Sequence, residues 1–315
     1  MMTSGSSAVL RLDSSVVIVA GKGGVGSSTI AMAAALVAAR QGAEVLYVPV
    51  DGREGAGRLL GADGITDADR VLRKVSGGGV IRARTIPADQ AFGDYLDLKG
   101  VGAILRRAAS AASLPMIAAA TPGLEHLLVL GKIKELEREG AADLIIVDAP
   151  PAGHATPFLR SASGLSDVVT SGPVLEQADE VGSMLGDSER CSTVVVALPE
   201  STPVTEAIEL ASDLDDLGIE RTEPVLNAAW PDRPGLDRSP AMAGRGRKPK
   251  LSDDVKAALA VSVDFGRERL AVQREQEQRL SDALGTPVVV PRRPTATLDV
   301  DDLEAIADAL EGKSS

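Results

Sequence analysis

The sequence is poor in the residues that build redox and metal centres. Its 315 residues include one cysteine, Cys191, and two histidines. One thiol forms no disulfide framework and no Cys-x-x-Cys metal pair, and it falls short of the two per chain that even a dimer-bridging iron–sulfur cluster needs. Cys191 opens an apparent strand and reads as a small core hydrophobe. Positive charge is also short: 33 Lys and Arg stand against 45 Asp and Glu, a net charge of −12. Nucleic acid is therefore not expected as a main partner, because affinity for it is largely supplied by cations that neutralise phosphates. No apolar run is long enough to cross a bilayer; the longest, Ile30 to Ala39, is about half the ~20 residues a spanning helix needs. The segment Met1 to Ser15 is apolar only over Ala8 to Leu10, too weak for a signal peptide, so a cytoplasmic location is expected.

What the chain does contain is a phosphate-cradling loop. Residues Gly21, Lys22, Gly23, Gly24, Val25, Gly26, Ser27, Ser28 and Thr29 follow the spacing Gly, four residues, Gly, then a pair in which Lys and Ser or Thr are usual. Glycines let the backbone turn tightly and aim N–H groups at a polyphosphate, and the helix that follows presents its positive dipole end to the same anion. Ser15 to Ala20 is a β-branched run that predicts a buried parallel strand, and the Ala-rich stretch Ile30 to Arg40, stopped at Gln41-Gly42, predicts a helix. In the pair after Gly26, Ser27 stands where lysine is usual and Ser28 where the Mg²⁺-binding hydroxyl belongs.

Downstream, strands are predicted at Val45 to Val50, Val80 to Ile86, Leu144 to Val147, Thr193 to Ala197, Pro224 to Leu226 and Val288 to Val290. Helices are predicted from Thr121 to about Glu139, over Leu175 to Leu185, Pro203 to Leu217 and Asp253 to Leu284, and from Asp299 onward. Residues 88–120 carry a helical pattern too long for a simple crossover and read as an inserted helical lobe. Residues 231–251, rich in Gly and Pro with Arg238, Arg245, Arg247, Lys248 and Lys250, read as a mobile basic loop. The alternation predicts one α/β domain over residues 1–315, with a mostly parallel sheet covered by helices on both faces.

Two aspartates fall at predicted strand ends. Asp148 closes a hydrophobic strand downstream of the loop, where a carboxylate is placed to hold Mg²⁺ through its water; the alternative is a helix cap. The run Ala149-Pro-Pro-Ala-Gly-His154 after it reads as a loop able to change shape with the γ-phosphate, with His154 either part of that switch or an exposed loop residue. Asp51 ends the second strand, where a carboxylate orients an attacking water; an Asp-Gly turn is the other reading.

Taken together, these residues resemble the arsenical-pump and tail-anchored-protein-targeting ATPases, a deviant P-loop family. Gly21 to Thr29 is similar to its deviant Walker A motif, with Lys22 as the signature lysine. Asp51 matches its switch I aspartate, although Asp-Gly-Arg replaces the usual Asp-Pro-Ala. Asp148 to Leu159 is similar to its switch II run, including His154. Pro122 to Glu125 resembles its Pro-Gly loop, and Leu198-Pro199-Glu200 with Val204 and Glu206 its Pro-Glu helix entry. The resemblance implies ATP and Mg²⁺ as ligands, Asn227 and Pro291 at the adenine, and two subunits facing each other so that Lys22 reaches phosphates bound by the opposite subunit. It does not extend to the family's metal-joining Cys-x-x-Cys or its metalloid-binding cysteines, which are missing here.

The expectation is a dimeric Mg²⁺-dependent ATPase, homodimeric or paired with a paralogue. Its nucleotide state switches a lobe that binds a hydrophobic client or membrane-associated protein, with residues 88–120 and the Leu175 to Leu185 helix as the candidate surface. In this reading Ser28 and Asp148 hold the metal, Asp51 orients water and Lys22 stabilises charge. Ser27 opens the alternative of an ATP-binding but weakly hydrolysing subunit that completes a paralogue's site, unless a nearby Arg or Lys22 itself fills the gap. The acidic balance and the His154 run oppose a third reading, a ParA-like DNA-partition protein.

Overall fold

A computed structural model describes residues 8–50, 57–61, 64–98, 123–167, 169–233, 236 and 252–313. Among them an eight-stranded sheet is built from β1 (Val16–Gly21), β2 (Glu44–Pro49), β3 (Arg70–Lys74), β4 (Val80–Ala83), β5 (Leu144–Asp148), β6 (Cys191–Ala197), β7 (Val225–Ala229) and β8 (Val288–Pro291). Their order is β3-β4-β2-β5-β1-β6-β7-β8. All pairings are parallel except β3 with β4. The expected α/β architecture is present.

Strands β1, β5 and β6 are buried along their whole length, as continuous Val/Ile runs require when helices cover both faces. Alternate residues divide between two cores. Val17, Val19, Val45, Tyr47 and Ile146 face the helices α1 (Ser27–Arg40) and α8 (Val300–Leu310). Val16, Ile18, Leu46, Val48, Ile145 and Val147 face α3 (Leu124–Arg138), α4 (Ala152–Ser166), α5 (Pro173–Leu185) and α6 (Ser201–Asp216). Every residue of α1 from Ile30 to Ala39 is buried, because α8 covers the side turned away from the sheet. Its small alanines permit that close approach, while Ile30 and Leu36 contribute about 1.5–3 kcal/mol each by burial. At the end of α1, Arg40 is bonded to Glu304 and Asp308 (2.8 Å) of α8 and to Glu311 (2.6 Å), which caps it. Burial alone would lower the Arg40 pKa, but the three carboxylates outweigh it and hold the guanidinium charged.

Several boundaries differ from the sequence expectation. Helix α1 begins at Ser27, three residues before the apolar run, because a glycine loop leads straight into it. The edge strand β3 is mostly charged and exposed, so it carries no hydrophobic pattern to read. The run 149–154, expected as a loop, becomes helical at Ala152. His154 lies exposed in the first turn of α4, and that helix continues through Pro157 at the cost of one backbone bond. Strand β7 extends past Leu226 to Ala229 and so includes Asn227. The helix α7 (Asp253–Leu284) has the bounds expected, between the capping hydroxyl of Ser252 and Gly285. Of the inserted lobe, α2 (Ala88–Leu98) is described and packs on α3; residues 99–120 lie outside the described residues, as do 234–235 and 237–251 of the basic loop.

Candidate functional site

The carboxyl end of β1 lies between those of β5 and β6, and the chain leaves it through the glycine loop. Crossovers diverge from this point of an open parallel sheet, which leaves a crevice for a ligand. Gly24 and Gly26 take φ of 92° and 88°, values in the left-handed region that suits glycine. A Cβ on Gly21 would lie 2.5 Å from the Val196 carbonyl, and one on Gly26 would collide with Asn227 Nδ2. The loop is thus drawn as close to its neighbours as bare backbone allows.

Gly26 occupies the N-cap of α1 and supplies no side-chain cap, and no acidic residue lies in the first turn. The leading N–H groups of that helix lack the usual intrahelical acceptors. They and the helix dipole favour an anion in front of the loop. Ser27 Oγ is buried there without a hydrogen-bond partner. Uncapped amides, an orphaned hydroxyl and glycines packed to contact form a fitting cradle for a polyphosphate. Lys22 forms an ion pair with Glu206 of α6, both side chains remaining partly exposed. Glu206 Oε2 is buried with no hydrogen-bond partner.

Asp148 ends β5 and is 6% exposed. By strand alternation it shares the sheet face of Ile146, the face covered by α1, so its carboxylate is on the same side as the helix that carries Ser28. The Tyr47 hydroxyl donates to Asp148 Oδ2 at 2.8 Å. A buried carboxylate at a strand end and a hydroxyl in the first helical turn are hard oxygen donors of the kind Mg²⁺ takes. Pro151 follows closely; its Cβ lies 3.6 Å from the place a Cβ on Gly23 would occupy. The start of α4 is therefore against the loop, and Thr156 and Arg160 fasten that helix to Asp213 of α6, both at 2.9 Å.

Beside the loop, a cavity of about 210 Å³ is lined by Gly24, Gly26, Thr29, Asn227, Pro291 and Arg292, among others. Asn227 Nδ2 donates to the Val25 carbonyl and its Oδ1 accepts from Ala228 N–H, each at 2.8 Å, so this side chain buttresses the loop. Ala228 has φ of 53°, the one non-glycine residue at positive φ among the described residues. That conformation costs on the order of 1 kcal/mol and lies at a register shift of β7 against β8. Arg292 lies over the Trp230 ring, 5.2 Å from its centroid. A larger cavity, about 470 Å³, opens near the amino ends of β7 and β8, away from the loop. Its two arginines are already ion-paired, Arg11 with Glu223 and Arg221 with Asp215.

Of the residues expected from sequence, Gly24, Val25, Gly26, Thr29, Asn227 and Pro291 line one cavity. Lys22, Ser27 and Ser28 belong to the same loop, and Asp148 shares the face of the helix they open. His154 is exposed on the first turn of α4 and does not line this cavity, and Asp51 lies outside the described residues. Tyr47, Arg292 and Trp230 escaped sequence reading. Only the adjacency of Arg292 to Pro291 offered a local signal for any of them.

No family model matches the chain. It is 34% identical to ATPase BagA of Mycobacterium tuberculosis over 224 residues, 68% of this chain and 65% of that protein, and so spans just under two thirds of that relative's length. It is 24% identical to ATPase GET3 of Chaetomium globosum over 326 residues, covering 87% of this chain and 91% of GET3. To the arsenical pump-driving ATPase of Escherichia coli it is 31% identical over 109 residues, 34% of this chain and 18% of that protein.

Proposed function

The chain belongs to the arsenical-pump and GET3 family of ATPases, and from that premise we propose that it is a dimeric, Mg²⁺-dependent ATPase whose nucleotide state switches a partner-binding helical lobe. The observation that carries this reading is the uncapped N-terminus of α1 at the carboxyl end of β1, with Asp148 on the same sheet face. In this reading the site residues have the roles their motifs imply. Loop amides and the first turn of α1 bind the triphosphate, and Asn227, Pro291 and Arg292 bound the nucleoside cavity. Ser28 and Asp148 would hold Mg²⁺, which would neutralise charge that develops on the phosphate oxygens. Asp51 orients the water that attacks the γ-phosphorus as the bond to the β-phosphate oxygen breaks, giving ADP and phosphate. Lys22 serves the nucleotide of the facing subunit, for which it must leave Glu206.

Coupling to the lobe has a packed route. Pro151 lies beside the loop, α4 packs on α3, and α3 packs on α2 at the start of residues 88–120. Between α3 and α4, the His126 and Phe158 rings meet edge to face with centroids 5.7 Å apart. A hydrophobic or membrane-associated client is the partner this lobe would serve, in the cytoplasm. Among the described residues no helix is long and apolar enough to cross a membrane.

The buried, unpartnered Ser27 hydroxyl favours a second reading. An ammonium at that place would interact with phosphate by about 4 kcal/mol at 4 Å and an effective dielectric of 20. Without it the chain would bind ATP and hydrolyse weakly, completing a paralogue's site by lending Lys22. Phosphate release by the purified chain separates the two. Turnover without a partner, abolished by Asp51→Asn, supports the enzyme; ATP binding by calorimetry without turnover supports the silent subunit; no heat with Mg²⁺·ATP at millimolar concentration rejects both.

A further inference from the structure

Tyr47 is one of two tyrosines in the chain and is fully buried in a strand whose other buried positions are aliphatic or proline. A phenylalanine would fill the same space without a polar group needing a partner. The hydroxyl is placed by register. Tyr47 pairs with Ile146 across β2 and β5, and Asp148 is two residues further along the same face, a diagonal neighbour within reach of an aromatic side chain. There the hydroxyl donates to Asp148 Oδ2 at 2.8 Å.

Building on the ATPase reading, we propose that Tyr47 is a positioning residue for Mg²⁺: its buried hydroxyl fixes the rotation of the Asp148 carboxylate that holds the metal's water. Carboxylate χ2 is a broad, roughly two-fold torsion. Anchoring one oxygen to a phenol that itself has no room to move settles where the carboxylate presents its other face. Hydrogen bonds behind a metal's ligands typically carry ten- to a hundred-fold in metal affinity, and Tyr47, which acts through Asp148 on the metal's water, belongs at the lower end of that range.

The test is calorimetric titration of Mg²⁺ into the full chain saturated with ADP, beside titration of ADP in EDTA, for wild type, Tyr47→Phe, Asp148→Asn and the double variant. Tyr47→Phe should weaken Mg²⁺ binding about tenfold and leave metal-free ADP affinity unchanged. In the Asp148→Asn background the same change should have no further effect on Mg²⁺, since the two residues act as a unit. A Mg²⁺ affinity for Tyr47→Phe equal to wild type overturns the proposal and leaves the hydroxyl a satisfied core group. So does an equal loss in both backgrounds. The wild-type arm alone judges the underlying function: if Mg²⁺ does not bind the wild-type ADP complex, the ATPase reading and this inference fall together.

Discussion

Lys22 is held by Glu206 of its own subunit. A lysine that acts on a neighbour's phosphates has to exchange that carboxylate for the nucleotide when two subunits close. The pair is partly exposed, 40% and 29%, which limits its worth to about 1 kcal/mol or less. Glu206→Gln should therefore leave the melting temperature nearly unchanged and tighten the ATP-dependent dimer up to about fivefold for each Lys22 released, read by sedimentation or mass photometry. A weaker dimer would assign Glu206 to the interface itself.

Ser27→Lys should raise phosphate release by about a hundred- to a thousand-fold if charge at this place limits the reaction, the range found for preorganised charge stabilisers. Fold stability should move the other way. A cation in the first turn of α1 opposes the dipole and costs about 0.3–1 kcal/mol without nucleotide. Steady-state kinetics with a urea titration checks both signs; an unchanged rate would mean that another cation, such as Lys22 of the facing subunit, already supplies the charge.

The parts of the site that are local in sequence were legible there. The glycine spacing named the phosphate loop, the buried strand before Asp148 placed that carboxylate, and the charged run Asp253 to Leu284 gave α7 its bounds. Contacts set by register or by tertiary packing were not. Tyr47 meets Asp148 only because β2 pairs with β5 in one alignment, and nothing near Lys22 in sequence points to Glu206. β3 escaped because an exposed charged edge has no alternation, and the start of α4 escaped because Gly153 and Pro157 speak against a helix that packing enforces.

Trp230, the single tryptophan, should report nucleotide binding. Arg292 stacks on its ring and also lines the cavity beside the loop. A bound nucleotide competes for that guanidinium, and the stacking to be displaced is worth only about 0.5–1 kcal/mol. Titration with ATP should change the intrinsic fluorescence saturably, at the dissociation constant found by calorimetry. Arg292→Ala should remove most of the change; a full response in that variant would place its origin in β7 instead.

Cys191 gives the chain an alkaline sensitivity. Burial pushes its thiol up to about 12 from an ordinary 9.0, the dominant influence on a group enclosed in β6. The folded chain therefore keeps the proton that the unfolded chain releases above pH 9. The thiol's contribution is complete below that pH, shrinks as pH rises, and is gone above about 12. The slope between these limits is at most about 1.4 kcal/mol per pH unit. Urea unfolding from pH 8 to 10.5 should show wild type losing stability more steeply than Cys191→Ala. The difference between the two removes the titration of lysines and tyrosines common to both. Alkylation of the native thiol should proceed no faster than unfolding, since the thiolate is the nucleophile. Parallel pH profiles and rapid native alkylation would together mean that water reaches β6, and the sheet would then be less tightly closed than its burial implies.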